Sequence, residues 1–556
     1  MKTTIQNVIA LTVTLLVTNS AIQAQSWQWA HSGGGSINVP PDQGLGVVAG
    51  SNDTIYAFGI FNVELQLDSH YNVGNKSSYF IAQYTPSGQP VKSALIKRAN
   101  SNPGGATAFN FNTDKDHNLY VSGDISNTYT FDTLEVTGGG GYVAKFNSKV
   151  KVEWVKFLAD INYAVSGDNQ KNIYSVGSVI DNVGYIDTFA LHNPGGTLKP
   201  KMYLAKLDST GKCQWVKQSY GTGAHTGFRD IKVSGNNVYA SGFMVDSCAS
   251  FDNNSYCINA GFLMNTDTNG SLQWLSHLSR LSGGASFSSI GTDASSNCYT
   301  AGGFDGTIVV GNDTIYKQSG VRVALLMKYN PAGTILWKRQ IYGDSVIFVN
   351  SSHTDISGNT YLTGTFSGTA IFGNDTVTAT AGTDTFKTIN RNMFITRYDA
   401  NGNYLGVKTV YNATPESITT DTYGNAIVTG SIKTGTTYFD TIQRTSRGGE
   451  DYFVAKLSAI TGGSSSIKTP LADNKLMIYA NPNRGNFTID VPKSIVTNTT
   501  AHLQIYSTAG SLIKDETVDI SGSTISVDLG TVLKGLYTVT LSGSGFKKFT
   551  GKVMVE

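Results

Sequence analysis

Hydrophobic and polar residues alternate in short runs along most of this chain, and helical spacing of apolar positions is nearly absent. The run from Asp355 to Gly364 reads DISGNTYLTG; after a loop, MFITRYDANG spans Met393 to Gly402 and a short closing run follows. This unit recurs seven times between residues 50 and 460. A period of about sixty residues with four strand-like runs predicts one four-stranded sheet per copy, the pattern of a β-propeller.

The register repeats at several positions. A glycine ends the second run at Gly59, Gly123, Gly177, Gly242, Gly302, Gly364 and Gly430, usually three residues after a tyrosine such as Tyr120 or Tyr361. Third runs read FIAQY at Phe80, YVAKF at Tyr142, YLAKL at Tyr203 and FVAKL at Phe453. Trp154, Trp215, Trp274 and Trp337 mark the closing run of copies two to five, where copies one and six carry Lys92 and Gly406. Copy seven has no closing run, while Trp29 stands unclaimed before copy one. The expected fold is therefore all-β: a seven-bladed β-propeller over residues 25–462, closed by the N-terminal strand so that no sheet edge stays open.

Residues 1–24 read as a signal peptide: Lys2, an apolar stretch from Val8 to Val17 too short to span a bilayer, and Ile22-Gln23-Ala24 before the expected cut. No later segment predicts a transmembrane span in the mature chain. Residues 463–475 form a Gly/Ser linker, and from 476 the pattern changes to alternating strands separated by Asn-Pro, Ala-Gly and Lys-Gly turns. A small C-terminal β-sandwich over residues 476–556 is expected.

Composition narrows the function. Only 14% of residues are charged, against roughly 25% in typical domains. The net charge of +2 and the absence of a Lys/Arg cluster with interleaved aromatics argue against a nucleic-acid partner.

The tail phrases resemble the type A C-terminal sorting domain of the type IX secretion system of Bacteroidetes. The resemblance rests on Asn481, Pro482 and Gly485, then Gly510, then Gly535 and Tyr537, then Lys552, in the family's order. Tyr479-Ala480-Asn481-Pro482 departs from the family's usual Tyr-Pro-Asn-Pro. The resemblance implies signal-peptide export to the periplasm, recognition by the type IX machinery, and a secreted or outer-membrane surface-attached product. The repeats resemble bacterial seven-bladed propeller repeats related to the NHL type, through Asp-x-x-Gly-Asn-x-Tyr-x-x-Gly in copy six, with Asp114, Asp168, Asp293 and Asp421 in the same slot elsewhere. These aspartates could be read as calcium sites, but no EF-hand spacing is present, and Asx-turns in a first hairpin are the preferred reading.

Asp-Thr-aliphatic tripeptides recur at Thr54, Thr133, Thr314, Thr376 and Thr441. Turn chemistry explains them, and they also resemble the O-glycosylation site of exported Bacteroidetes proteins. Cys248 and Cys257, nine residues apart, could pair in an oxidising compartment or equally remain buried thiols. No metal-ligand spacing and no cofactor motif is found. AKLDSTGKCQW at Ala205 is similar to the tryptophan-docking repeat of quinoprotein dehydrogenases, but has one residue between Asp208 and Thr210 where that motif has two. No hydrolase motif or phosphate loop occurs. Paired carboxylates from different blades would leave no local spacing, and Asp344 is the best-placed single candidate.

The fourth-to-first connections are glycine-rich, aromatic and low in charge. Tyr220, His225, Phe228, Arg229, Arg280 and Tyr342 are the expected ligand-binding residues, suited to carbohydrate or a surface protein. The function expected is a binding or adhesion module; the alternative is a secreted polysaccharide-acting enzyme with its site at the propeller channel.

Overall fold

The computed structural model describes residues 25–555 apart from 36–41, 63, 68–69, 74–77, 100–105, 197–198, 222–224, 253, 380–390, 462–475, 480–482, 484, 492–494, 496–498, 508–510, 523, 531–533 and 544–545. The expected signal peptide, the linker 463–475, and Asn481, Pro482 and Gly510 thus lie outside the described residues. The chain divides into two compact units, Met1–Ser464 and Ser465–Glu556.

The larger unit is built from antiparallel meanders, one per sequence copy. In copy six, Ile347–Thr354, Thr360–Phe366, Asn392–Tyr398 and Tyr404–Val410 pair in that order. Copy seven has three such strands of its own, Ala413–Thr420, Ala426–Ile432 and Asp451–Leu457. Its fourth is the N-terminal Trp27–Gly33, antiparallel to Asp451–Leu457 with Trp29 opposite Lys456.

First strands of successive copies lie beside one another, from Gln43–Ala49 and Ala106–Thr113 to Ile347–Thr354 and Ala413–Thr420. Ala413–Thr420 also flanks Gln43–Ala49. There Gln43 Nε2 donates to Glu416 Oε1 at 3.0 Å, and the Val47 N–H donates to Ser417 Oγ at 3.2 Å.

The repeated aspartates close the first hairpins. Asp114 Oδ1 accepts the N–H groups of Asp116 and Asn118, both at 2.9 Å, while Oδ2 takes Asn118 Nδ2 at 2.8 Å and the Tyr120 hydroxyl at 2.9 Å. The Asp-to-Asn clamp is the same at Asp168, Asp293, Asp355 and Asp421. The carboxylates are held by their own loop, which is the Asx-turn role, and Asp293 and Asp421 also pair with Lys328 and Lys456 at 3.4 and 2.8 Å. The tyrosines that follow are fully buried.

Tryptophans join the copies. Trp29, Trp154, Trp274 and Trp337 each donate Nε1–H to a carbonyl in the last turn of the next copy, those of Pro86, Ser209, Pro331 and Ala400, at 2.9–3.2 Å. A Cβ on the turn glycine Gly333 or Gly402 would lie 2.8 Å from the indole. In copy one Lys92 replaces the indole and donates to Lys149 O at 2.6 Å. In copy six Gly406 leaves space filled by Gln25 and Ile460.

One expectation needs correction. The segments after the second strands, read as loops, are β-hairpins: Val183–Ile186 with Phe189–His192, Thr307–Val310 with Asp313–Tyr316, Thr369–Phe372 with Asp375–Thr378, and Thr436–Phe439 with Ile442–Thr445. Asp440-Thr441 forms the tip of its hairpin and Asp132-Thr133 the tip between Leu119–Phe131 and Leu134–Phe146, Asp313-Thr314 and Asp375-Thr376 open the second strand of theirs, and Asp53-Thr54 belongs to the first hairpin of copy one. The tip aspartates anchor the hairpins to strand edges: Asp440 Oδ2 accepts the Trp27 N–H at 3.0 Å, and Asp187 Oδ2 accepts the Cys213 N–H at 2.6 Å.

The smaller unit is a two-sheet β-structure. Met477–Tyr479, Asn486–Asp490 and Thr524–Asp528 make one sheet; Leu512–Ile520, Thr499–Ser507, Gly535–Gly543 and Phe546–Val555 make the other. Phe487, Ile489, Leu503, Ile505, Tyr537, Val539 and Val553 share its core. No helix among the described residues is long and apolar enough to cross a membrane.

Candidate functional site

Every first strand carries a β-bulge at the same place, near its leading end. The unpaired residues are Leu45, Phe109, Tyr163, Arg229, Ser288, Asn350 and Glu416. A bulge bends its strand and re-aims one side chain, and bulges gather beside functional sites. The repeated glycine of the sequence is its counterpart. Gly364 pairs with Val349 just before the bulge, and a Cβ there would lie 1.9 Å from the Phe348 carbonyl oxygen. The same carbonyl approach occurs at Gly123 (1.9 Å), Gly302 (2.0 Å) and Gly430 (2.0 Å). Only glycine leaves room for the tilted carbonyl.

Bulge residues of neighbouring copies meet. The rings of Phe109 and Tyr163 are 5.5 Å apart, with Phe109 45% exposed. Asn350 hydrogen-bonds to Glu416, and Gln43 donates to the same carboxyl. Burial pushes the Glu416 carboxyl up to about 7, and Glu450 nearby acts in the same direction. The group is poised to hold a proton near neutrality, as a hydrogen-bond donor or an acid. Arg229 is exposed, its guanidinium 4.9 Å from the Phe243 ring centroid.

The expected ligand residues separate into different environments. Arg229 stands on a bulge. Phe228 beside it is 1% exposed and packs edge-on against Phe262, so it is core rather than contact surface. Tyr220, Arg280 and Tyr342 occupy the stretch where a closing strand runs on to pair with the next copy's hairpin, opposite Ser250, Ile308 and Ile371. Tyr220 and Arg280 are exposed there and Tyr342 is half-buried. His225 begins the strand His225–Ser234, and its side chain lies outside the described set. Asp344 Oδ1 accepts the Thr369 N–H at 2.7 Å, which makes it a hairpin cap.

The bulge row was not singled out from sequence, apart from Arg229; the repeated glycine was the signal that could have found it. Deeper along the first strands, Lys232 Nζ reaches Asn112 Oδ1 at 3.4 Å. His353 lies in the strand Ile347–Thr354, and burial followed by the Lys232 charge pushes its imidazole down to about 4. It is neutral at physiological pH.

Cys248 and Cys257 face each other across a hairpin, Cα atoms 4.0 Å apart, and form a disulfide. Cys213 and Cys298 are separate, buried thiols. Thr133, Thr314, Thr376 and Thr441 are exposed, and Thr54 is half-buried. In the tail, Gly485 has φ +99° and its N–H donates to Asn483 Oδ1 at 2.7 Å; Tyr537 is buried and Lys552 exposed.

The tail's strand order and turn residues find a match. Residues 477–556 match the secretion system C-terminal sorting domain. This sorting domain is that of the type IX system, so the tail implies contact with the secretion machinery and a secreted or outer-surface-attached protein.

Among solved structures, the chain is similar to a catalytically inactive virginiamycin B lyase from Staphylococcus aureus with quinupristin, at 9% identity, covering 78% of this chain and 99% of that one, TM-score 0.37. It is also similar to the WD40 β-propeller domain of Doa1, at 10% identity over 65% and 97% of the two chains, TM-score 0.27. A third is the extracellular domain of a one-component system from B. thetaiotaomicron, at 10% identity over 95% and 98%, TM-score 0.15. No curated protein sequence matches this chain.

Proposed function

We propose that residues 25–462 form a closed seven-bladed propeller that acts as a secreted or surface-attached binding or adhesion module for carbohydrate or a surface protein. The sheet closed by Trp27–Gly33 and the contact of Ala413–Thr420 with Gln43–Ala49 support the ring. The observation that carries the binding reading is the repeated bulge, which supplies an aromatic pair, an arginine and neutral amide or hydroxyl groups at one end of the first strands. Stacking surfaces beside neutral donors suit sugars and equally a protein loop.

One observation favours the enzymatic alternative: Glu416, with its carboxyl near 7, has the protonation of a general acid. The experiment is a screen of the full chain on glycans and surface proteins, with each bound glycan assayed for cleavage. Saturable binding without turnover supports the module. Turnover abolished by Glu416→Gln replaces it with the enzyme.

Two further proposals belong to export. Residues 1–24 act as the signal peptide, so the mature N-terminus is Gln25; N-terminal sequencing reads this directly. The exposed hairpin threonines Thr133, Thr314, Thr376 and Thr441, with Thr54, are glycosylated, and an unmodified intact mass removes that proposal.

A further inference from the structure

Two arginines share one ring. The Arg322 and Arg391 guanidiniums lie 5.7 and 4.6 Å from the Phe348 ring centroid. They immediately precede the third strands Val323–Tyr329 and Asn392–Tyr398, so each is held at the base of a strand. Arg322 Nη2 donates to Ser286 Oγ and Gly303 O, both at 3.2 Å, which fixes its plane. Arg391 Nε is buried and has no hydrogen-bond partner among the described residues.

Among the described residues, no carboxylate forms an ion pair with either arginine or with Arg229. Asp305 is the acid whose field reaches Arg322, without forming an ion pair with it, and its carboxylate also accepts the Gly284 N–H. Two like charges placed on one ring with no carboxylate in contact repel each other, and an anion between them would offset that repulsion. Guanidinium forks match the paired oxygens of carboxylate and sulfate.

The surroundings indicate what carries the anion. Phe348 and Ser286 stand two residues before the bulges at Asn350 and Ser288, and Arg229 is the bulge of the preceding copy, its own charge over Phe243. The three first strands concerned are consecutive neighbours. The row therefore offers three ring-backed guanidiniums on three consecutive copies, with Ser288 on the bulge of the middle one and the exposed Phe109 near Tyr163 further round.

We propose that the Arg229, Arg322 and Arg391 arc binds an acidic glycan, through a carboxylate or sulfate group carried on a sugar ring. This rests on the binding-module reading and names its ligand class.

The test is calorimetric titration of the full chain with three oligosaccharides: a uronate carrying carboxylates, a sulfated sugar, and a neutral sugar of the same length. A carboxylated or sulfated ligand should bind, and weaken as salt is raised from about 50 to about 500 mM. Arg322→Gln with Arg391→Gln should cost at least about tenfold in affinity, and the doubly Lys-substituted chain should retain part of it. Arg229→Gln, at an exposed position, tests the arc should the double variant misfold, and should lose affinity too. Binding of the neutral sugar alone, or acidic binding unchanged in a folded Arg229→Gln or double variant, overturns the arc and leaves the module reading standing. No binding of any sugar also overturns it, and a protein ligand from the surface-protein screen would then preserve the module reading.

Discussion

Trp29 lies on Gly88. The indole Nε1–H of the N-terminal strand donates to Pro86 O at 3.2 Å, and a Cβ on Gly88 would come within 2.7 Å of the indole. The same joint recurs between interior copies, as Trp274 on Gly333 and Trp337 on Gly402. The contact made by the N-terminal strand is therefore built like the joints at Trp274 and Trp337.

Trp29→Ala should then lower stability by about 2–4 kcal/mol, because a large, partly buried ring and one hydrogen bond are lost at the joint. Trp337→Ala should cost a similar amount. Thermal unfolding checks both; a Trp29 variant as stable as the parent would show that the N-terminal strand adds nothing to the fold.

The bulge glycines should be among the least replaceable residues. At Gly364 an alanine Cβ would meet the Phe348 carbonyl at 1.9 Å, so the strand must shift, and the expected loss is roughly 2–4 kcal/mol. Gly311 provides the comparison: its φ of +58° is strained for alanine, but nothing lies within 4 Å of the added carbon. Gly311→Ala should cost only about 1 kcal/mol in the same denaturant titration.

Glu416 predicts a pH dependence. Its folded carboxyl, near 7, is raised above the unfolded range near 4.3, so the folded protein binds the proton more tightly. Stability is then lost as pH rises between those two values. Glu416→Gln should gain in melting temperature relative to the parent at pH 8.5 compared with pH 4.5. A difference that does not change with pH contradicts the raised carboxyl.

Asp440 ties a hairpin to the closing strand, through the Trp27 N–H at 3.0 Å and Lys408 Nζ at 2.5 Å. Asp440→Ala leaves the Trp27 N–H without this acceptor and Lys408 with only the Gln25 carbonyl, and should cost about 1–2 kcal/mol. Faster amide exchange at Trp27 is the local readout.

Thiol counting tests the cysteines. Native protein should take up no iodoacetamide, since Cys213 and Cys298 are buried and desolvation, followed by the Asp187 charge, raises the Cys213 thiol to about 12. Unfolding without reductant should expose two thiols and unfolding with reductant all four cysteines.

The sequence alone determined the local grammar. Alternation specified strands, Asp-x-x-Gly-Asn specified first hairpins, and the spacing of Trp154, Trp215, Trp274 and Trp337 announced one repeated joint, because each is a short-range pattern set by backbone and turn chemistry. The unclaimed Trp29 even pointed to the partner it meets. The tail was legible for the same reason, through turn residues in fixed order.

What only the tertiary structure decided depends on residues far apart in the chain. The glycines at Gly364 and its equivalents were visible, but the carbonyl that excludes a Cβ belongs to another strand, so the bulge behind the pattern was not. Phe228 and Arg229 are adjacent in sequence, yet the bulge puts one in the core and the other in solvent. Arg322, Phe348 and Arg391 span about seventy residues, and nothing in their local sequence says that two guanidiniums share one ring. Electrostatics of that kind arises only when the sheets are stacked.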